Sequence, residues 1–428
     1  MFESLIIESP KRKNNPKLKL KEFFPYYAGF PESFAKAVIS SSGLKEGSVV
    51  YDPWNGSGTT TTAAMKLGHH AWGIDINPVM VMVARARNLS GGSVDLLEKE
   101  GAKLFKKSKS DCGQIREEDP LLQWFDRSSA LLIRTVEQRA RRLMANHEFN
   151  DQGFELNRYA CLASNLYVAL FNACRILTKS FRSSNPTWLR LPRESEEKLS
   201  VSHDDLKGVV LTQVKNIADG LRLSNSGEYS SSNSSIFVGD STTFVKDECV
   251  DLILTSPPYC TRIDYTAATR IELALVSPML SVSREELSRS MIGSIRVPKG
   301  LAEPKKSWGP TCNDFISALQ SHSSKASSGY YYKTHIDYFE KMSASMKGLY
   351  KCLRKGGGLV MVVQDSFYKD IHNDVPTILT EMAVGEGFEF CRREDFLQRN
   401  SMSGINAKSK KYSRPAGATE SVICFYKN

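Results

Sequence analysis

The chain predicts an α/β fold: a Rossmann-like, mostly parallel sheet with helices on both faces, carrying a helical insertion and a second, irregular one. Three observations predict it. From Gly47 the sequence GSVVYDPWNGSGTTTTAAMKLGHHAWGIDINP reads as strand, glycine-rich turn, helix and second strand, a βαβ pattern. Far downstream, SSIFVGDSTT and VDLILTSPPY each read as an apolar strand that ends in polar residues. Strands that alternate with helices, and that are themselves nearly continuous apolar runs, belong to parallel sheets covered on both faces.

Taken in order, the strand ending at Asp52 leads through Gly56 and Gly58 into a helix, and the next strand ends in Gly73-Ile74-Asp75. The strand after the insertion is expected to end at Asp240, and VDLILT to end at Ser256. Tyr338 to Leu353 reads as an amphipathic helix, GGGLVMVVQDS as a glycine-led strand, Asp374 to Met382 as a helix and ESVICFYK as a closing strand. This assigns residues 1–90 and 234–428 to one catalytic domain. Residues 91–233, with helical stretches at Leu121–Met144 and Leu156–Lys179 and the low-complexity run SNSGEYSSSNSS, form a mainly helical insertion. Residues 279–335, rich in Gly, Pro and Ser, read as a loop-rich insertion without a core element. Both are candidates for contact with a substrate.

The chain has 428 residues, 41% hydrophobic and 24% charged, with 57 Lys and Arg against 47 Asp and Glu for a net charge of +10. That composition excludes a disordered chain, and the length suffices for a sizeable core. Nine cysteines are scattered with no C-x-x-C, which argues against a disulfide framework or zinc ribbon. His69 and His70, being adjacent, offer no helical metal-ligand spacing, so no metal site is expected. With no apolar run of membrane-spanning length and no secretory leader, a cytoplasmic protein without a membrane partner is expected. The basic residues crowd two stretches, Lys11 to Lys21 and Arg392 to Arg414, which favours polyanionic partners.

Chemistry concentrates at three strand ends. Gly56 and Gly58 permit a tight turn and close approach of a ligand, and the helix that follows offers its N-terminus to an acidic group. The G-x-G-x-x-G and P-loop patterns are both absent. Asp75 stands where a carboxylate can accept both ribose hydroxyls of a nucleoside, and Asp240 is a third acidic strand end on the same rim. In TSPPY, Pro257 and Pro258 fix the backbone and remove two amide donors, Ser256 adds a hydroxyl and Tyr259 an aromatic face. That set suits a planar substrate bearing an exocyclic NH2. The ring would stack on Tyr259 while Ser256 and a proline carbonyl accept the amino hydrogens.

These motifs resemble those of the S-adenosylmethionine-dependent DNA amino-methyltransferases, which methylate cytosine N4 or adenine N6. DPWNGSGTT resembles the family's cofactor loop, GIDINP its ribose-binding strand end, GDS its adenine-contacting strand end and TSPPY its catalytic tetrapeptide. The resemblance implies S-adenosyl-L-methionine as cofactor, held by Asp52, Pro53, Asn55, Gly56, Ser57, Gly58, Thr59, Asp75, Ile76, Asp240 and Ser241. It implies Ser256, Pro257, Pro258 and Tyr259 as catalytic residues and double-stranded DNA as partner, with a cognate restriction endonuclease or other defence proteins as candidate companions. SPPY is typical of the cytosine-N4 enzymes and DPPY of the adenine-N6 enzymes, so N4-methylcytosine is the expected product and adenine N6 the alternative. KEFFPYYAGFPESFAKAVI is similar in position to the family's cofactor-capping segment. Unlike the usual pattern, the large insertion falls between the ribose and adenine motifs. An RNA guanine-N2 methyltransferase would be expected to carry an RNA-binding domain before the cofactor loop, where only 51 residues stand, and Asp at position 256. An inactive, DNA-binding relative would be expected to have lost one of the motifs. Arg182, Trp188 and Arg190 in the first insertion, and Arg296 and Lys299 in the second, are the candidate readers of base edges in the major groove.

Overall fold

The computed structural model describes residues 4–11, 23–25, 29–107, 111, 113–145, 158–183, 188–224, 234–260, 264–296, 303–324, 326–398 and 418–428. The strands among the described residues are β1 (Val49–Asp52), β2 (His70–Asp75), β3 (Ser234–Val238), β4 (Val250–Thr255), β5 (Leu353–Gln364), β6 (Ser366–Tyr368), β7 (Ile371–Asn373), β8 (Glu389–Gln398) and β9 (Ala418–Tyr426). Seven form one sheet in the order β3-β2-β1-β4-β5-β9-β8, and β6 and β7 form a separate hairpin. The first five strands of that order pair in parallel; β9 runs antiparallel between β5 and β8. The sheet is therefore mostly parallel, as expected, with a single reversed strand, β9, next to the β8 edge. From β1 the chain moves outward through β2 to β3, then crosses back to β4 on the other side of β1. That reversal opens a crevice at the carboxyl ends of β1 and β4, where open α/β sheets bind their ligands.

Side chains alternate across the sheet, as the period of a strand requires. Val50, Ala71, Leu252 and Val360 face one way and pack with helices α1 (Glu32–Ser41) and α2 (Thr59–Lys66). Tyr51, Ile74, Ile253 and Leu359 face the other way. A third core surrounds α3 (Pro78–Ala86) and the segment that follows: α4 (Val94–Lys103), α5 (Arg127–Ala145), α6 (Arg158–Leu177) and α7 (His203–Ser224). The mainly helical insertion thus shares its core with α3 of the sheet layer. Ala160–Leu177 in α6 has the length and mean hydropathy, 1.4, of a membrane span, but Ser164, Asn165, Asn172 and Arg175 interrupt its apolar run and 72% of it is buried inside the fold.

Past β4 come α8 (Tyr265–Ala268), α9 (Arg270–Leu275), α10 (Arg284–Ser290), α11 (Pro310–Ser321), α12 (Tyr332–Cys352) and α13 (Val375–Gly385). The reading of 279–335 as lacking a core element is corrected here. Pro310 starts α11, whose Cys312, Phe315, Ile316 and Leu319 enter the second sheet-face core together with Trp308. The apolar spacing of those four residues is helical, but it is short and flanked by Ser, Gly and Pro. Other boundaries also move. β3 ends at Val238, so Asp240 lies two residues beyond the strand, and α12 begins six residues before Tyr338. The eight described cysteines are all free.

Candidate functional site

A solvent-open cavity of about 1100 Å³ lies at the crevice between β1 and β4. Every cofactor-site candidate except Gly58 lines it, as do all four residues of the tetrapeptide Ser256 to Tyr259. The sequence-predicted constellations, which run from Asp52 to Tyr259, therefore occupy one space.

Asp75 closes β2 and is the electrostatic centre of the cofactor side. Its Oδ2 accepts the Gly56 N–H at 2.9 Å and its Oδ1 accepts the Asn77 N–H at 2.8 Å. Burial pushes its carboxyl up to about 6, against the two backbone donors, which favour the charged form. Asp52, at the end of β1, is likewise pushed up to about 6 by burial, although Thr255 donates to its Oδ1 at 2.6 Å and the Trp54 N–H at 3.1 Å. The loop between them is shaped by two close approaches. Gly58 has φ +81°, and a Cβ there would lie 2.8 Å from the Ala84 Cβ; a Cβ on Gly73 would lie 2.5 Å from the Asn55 Nδ2. Gly58 is thus a structural member of the site, setting α2 against α3 rather than touching the cavity. Thr60 ties the start of α2 to β4 by donating to the Leu254 carbonyl at 3.1 Å.

Asp240 holds its own loop, accepting the Thr242 N–H at 2.9 Å and hydroxyl at 2.8 Å, while Ser241 shares a 3.0 Å hydroxyl contact with Ser345. On the catalytic side, the Tyr338 hydroxyl donates to the Pro258 carbonyl at 3.0 Å, and the Tyr259 N–H donates to the Tyr265 hydroxyl at 3.3 Å. Burial raises the Tyr265 hydroxyl to about 12 and lifts that of Tyr259 above its ordinary value, so both are neutral near pH 7. The Pro258 carbonyl already accepts one hydrogen bond, from Tyr338, while both prolines line the cavity.

A nucleoside cofactor of the expected kind fits these residues. A carboxylate has about four lone-pair positions, and the two N–H bonds to Asp75 leave room for two ribose hydroxyls. Trp54 Nε1 and Asn55 Nδ2, in the same wall, are buried donors without a partner among the described residues.

Sequence reasoning missed several residues around the cavity. Met80, Tyr265, Thr269 and the segment Ser290–Ile292 line it, and Phe30 joins from the N-terminal segment whose position had suggested a cap. Asn77 carried a signal, standing just before Pro78 in an N-cap position. It caps α3 by accepting the Val79 N–H at 3.1 Å, and it donates to Thr269 at 3.0 Å. Of the candidate DNA readers, Arg190 is engaged by Glu196 at 2.6 and 2.8 Å, and Arg296 by Glu285 at 2.7 Å. Arg182 and Trp188 are exposed. Lys299, the basic stretch from Arg12 to Lys21 and that from Arg399 to Arg414 lie outside the described residues. Among the described residues no cluster of three His, Cys, Asp or Glu side chains could hold a metal ion.

A mostly parallel sheet of this order, with a glycine-led loop after β1 and a carboxylate closing β2, is a Rossmann-like fold consistent with that of the methyltransferases. Within that class, residues 4–85 are matched by the family described as DNA methylase, the N6 and N4 methyltransferases. The type II methyltransferase M.MvaI of Kocuria varians is 24% identical over 229 residues, 49% of this chain and 46% of that protein. The type II methyltransferase M.BsoBI of Geobacillus stearothermophilus is 32% identical over 78 residues, 18% of this chain and 15% of that protein. The chain thus spans less than half the length of the curated relatives it matches.

Proposed function

We propose that this protein is a site-specific DNA methyltransferase that modifies the exocyclic amino group of a flipped base, and that the base is cytosine, methylated at N4. The observation that carries the reading is the meeting, in one cavity, of the Asp75 carboxylate with the Ser256–Tyr259 loop. The cofactor, S-adenosyl-L-methionine, would supply an electrophilic methyl group. It would be held by Asp75 at the ribose hydroxyls and by the Asp52–Thr59 loop, with Ile76, Asp240 and Ser241 closing the wall. Ser256 and a proline carbonyl accept the two amino hydrogens, which leaves the nitrogen lone pair less delocalised into the ring. Tyr259 stacks on the base. Flipping is required because the amino group of a paired base is engaged in the duplex and cannot enter a site of this depth.

The neutral hydroxyl of Ser256 favours cytosine N4, as does the similarity of TSPPY to the cytosine-N4 motif. The helical segment 91–233 and the segment 279–335 are the candidate DNA-recognition regions, and the basic stretches near both ends would neutralise phosphates. A cytoplasmic setting and a companion endonuclease accord with the type II methyltransferases that the chain resembles. The test is to express the protein in a host without endogenous amino-methylation, digest the DNA to nucleosides and identify the product by mass spectrometry. N4-methylcytosine is expected. N6-methyladenine as the sole product would overturn the assignment of the base, and unmodified DNA together with an inability to bind cofactor would overturn the function.

A further inference from the structure

A second, smaller and solvent-open hollow lies between α9 and the segment around Arg182 and Trp188, and Ala268 lines both it and the main site. Its walls carry three guanidinium groups, Arg175, Arg182 and Arg270, and one carboxylate, Glu272. Arg175 is consumed internally: its Nε donates to Glu272, and its other arm donates to the Ala268 carbonyl at 2.6 Å. Of the other two, Arg182 has no counter-ion among the described residues and Arg270 is opposed electrostatically by Asp264, while Glu272 keeps a buried Oε2 without a hydrogen-bond partner, so cations still outnumber carboxylates in this wall. Neither Arg182 nor Arg270 has a side-chain hydrogen bond or ion pair among the described residues, and the Nε of Arg270 is buried with no partner at all. Positive neighbours add to the imbalance. Burial first, and then Arg284 and Arg296 against the opposing Asp264, lower the affinity of Arg270 for its proton. Arg182 is set in place by an antiparallel bridge to Leu189, and the base of its loop is tied by the Ser183 N–H on the Trp188 carbonyl at 2.9 Å.

A half-buried guanidinium left unpaired beside a second free one is costly unless an anion completes it, and a planar donor fork matches phosphate oxygens. We propose that Arg182 and Arg270 together bind one phosphodiester of the substrate DNA strand, next to the nucleotide that enters the main cavity. The inference rests on the proposed function, since it takes DNA as the substrate. It assigns Arg270, which lies in no motif, to the DNA interface. It also gives Arg182 a sequence-independent role in place of base reading. Trp188, 36% exposed, lines the same wall.

The test compares the full-length wild type with R182Q/R270Q and R182K/R270K, using a labelled duplex oligonucleotide whose binding is followed by anisotropy across a salt series. Cofactor affinity and thermal unfolding are measured in parallel. One lost phosphate contact flattens the slope of log K against log salt by about 0.9. The Gln double variant is expected to show that change on every duplex sequence, with wild-type cofactor affinity and melting, and the Lys pair to regain most of the slope. A folded Gln variant that keeps the wild-type slope, or that loses affinity for one sequence only, would overturn the proposal while leaving the methyltransferase reading intact. Wild-type protein without affinity for any duplex would instead sink the function on which it rests.

Discussion

The carboxyl of Asp75 makes cofactor binding a titration. Burial raises it to about 6, and only the ionised form can accept two ribose hydroxyls in addition to the N–H groups of Gly56 and Asn77. The free protein therefore holds this proton more tightly than the unfolded chain, whose carboxyl titrates near 4. Two effects of opposite sign follow. Between pH 7 and pH 5 the free fold gains stability from Asp75, because the raised group takes up a proton that the unfolded chain does not. Over the same range cofactor affinity falls: with a midpoint near 6, about a tenth of the carboxylate remains ionised one unit lower, so the Kd at pH 5 is about tenfold weaker than at pH 7. In D75N one of the two backbone donors faces an NH2 group, an unsatisfied bond worth about 1–3 kcal/mol. That variant binds S-adenosylmethionine at least tenfold more weakly at pH 7 and with a shallower pH dependence, Asp52 alone then titrating in the site. Isothermal titration of both proteins at several pH values measures all of this. A wild-type Kd that stays constant from pH 5 to pH 7, or a folded D75N with unchanged affinity, would refute the placement of Asp75 at the ribose.

Gly58→Ala should cost about 1–3 kcal/mol in urea unfolding, because a non-glycine residue at φ +81° is strained and its Cβ meets Ala84 at 2.8 Å; cofactor affinity should fall with it, and full stability would refute the packing argument. Tyr338→Phe removes the donor to the Pro258 carbonyl, so methyl transfer should slow by roughly 0.5–1.5 kcal/mol in barrier with cofactor Kd unchanged, which single-turnover kinetics and calorimetry separate. Arg134→Ala should be among the most damaging changes away from the site, about 3–5 kcal/mol by chemical denaturation, because Arg134 pairs Asp119 at 2.9 Å and Glu137 at 3.4 Å and donates to the Ala274 and Leu275 carbonyls.

The part of the fold that was legible in the sequence is the part whose signal is local. β1, β2 and β4 are short apolar runs bounded by Gly, Asp and Pro, and their polar ends are where the ligand crevice must lie. β8 was not read, because EFCRREDFLQ alternates weakly and carries a run of charges. Those charges suit an edge strand, where Arg393 pairs Asp395 at 2.7 Å and discourages further strand addition. The antiparallel entry of β9 escaped for a different reason: strand order and direction are set by tertiary packing, which no window of sequence carries. Likewise Tyr338 meets Pro258 across 80 positions. A helix that reads only as amphipathic cannot announce which of its buried hydroxyls orders an active-site loop.

The tetrapeptide loop is fixed from three directions, and the three anchors come from different parts of the chain. Thr255 bonds Asp52 on the neighbouring strand, which couples the loop to the cofactor side of the sheet. Tyr338 holds the Pro258 carbonyl from α12, and Tyr265 receives the Tyr259 N–H from the segment just downstream. Gly293 adds a fourth constraint, since a Cβ there would lie 2.9 Å from the Tyr259 carbonyl oxygen. The backbone of the loop is therefore set before any substrate arrives, and on the proposed reading the Ser256 hydroxyl, a proline carbonyl and the Tyr259 ring are the groups that meet it. Preorganised acceptors need no rearrangement when the amino group enters, which is where such a site gains over water. The same segment that positions Tyr265 leads through Ala268 to Arg270, so the loop that receives the base and the pocket assigned to the neighbouring phosphate share one short stretch of chain. On the proposed reading, a duplex that seats its phosphate on Arg270 presents the adjacent nucleotide to Tyr259, so that binding and chemistry are linked through residues 265–270.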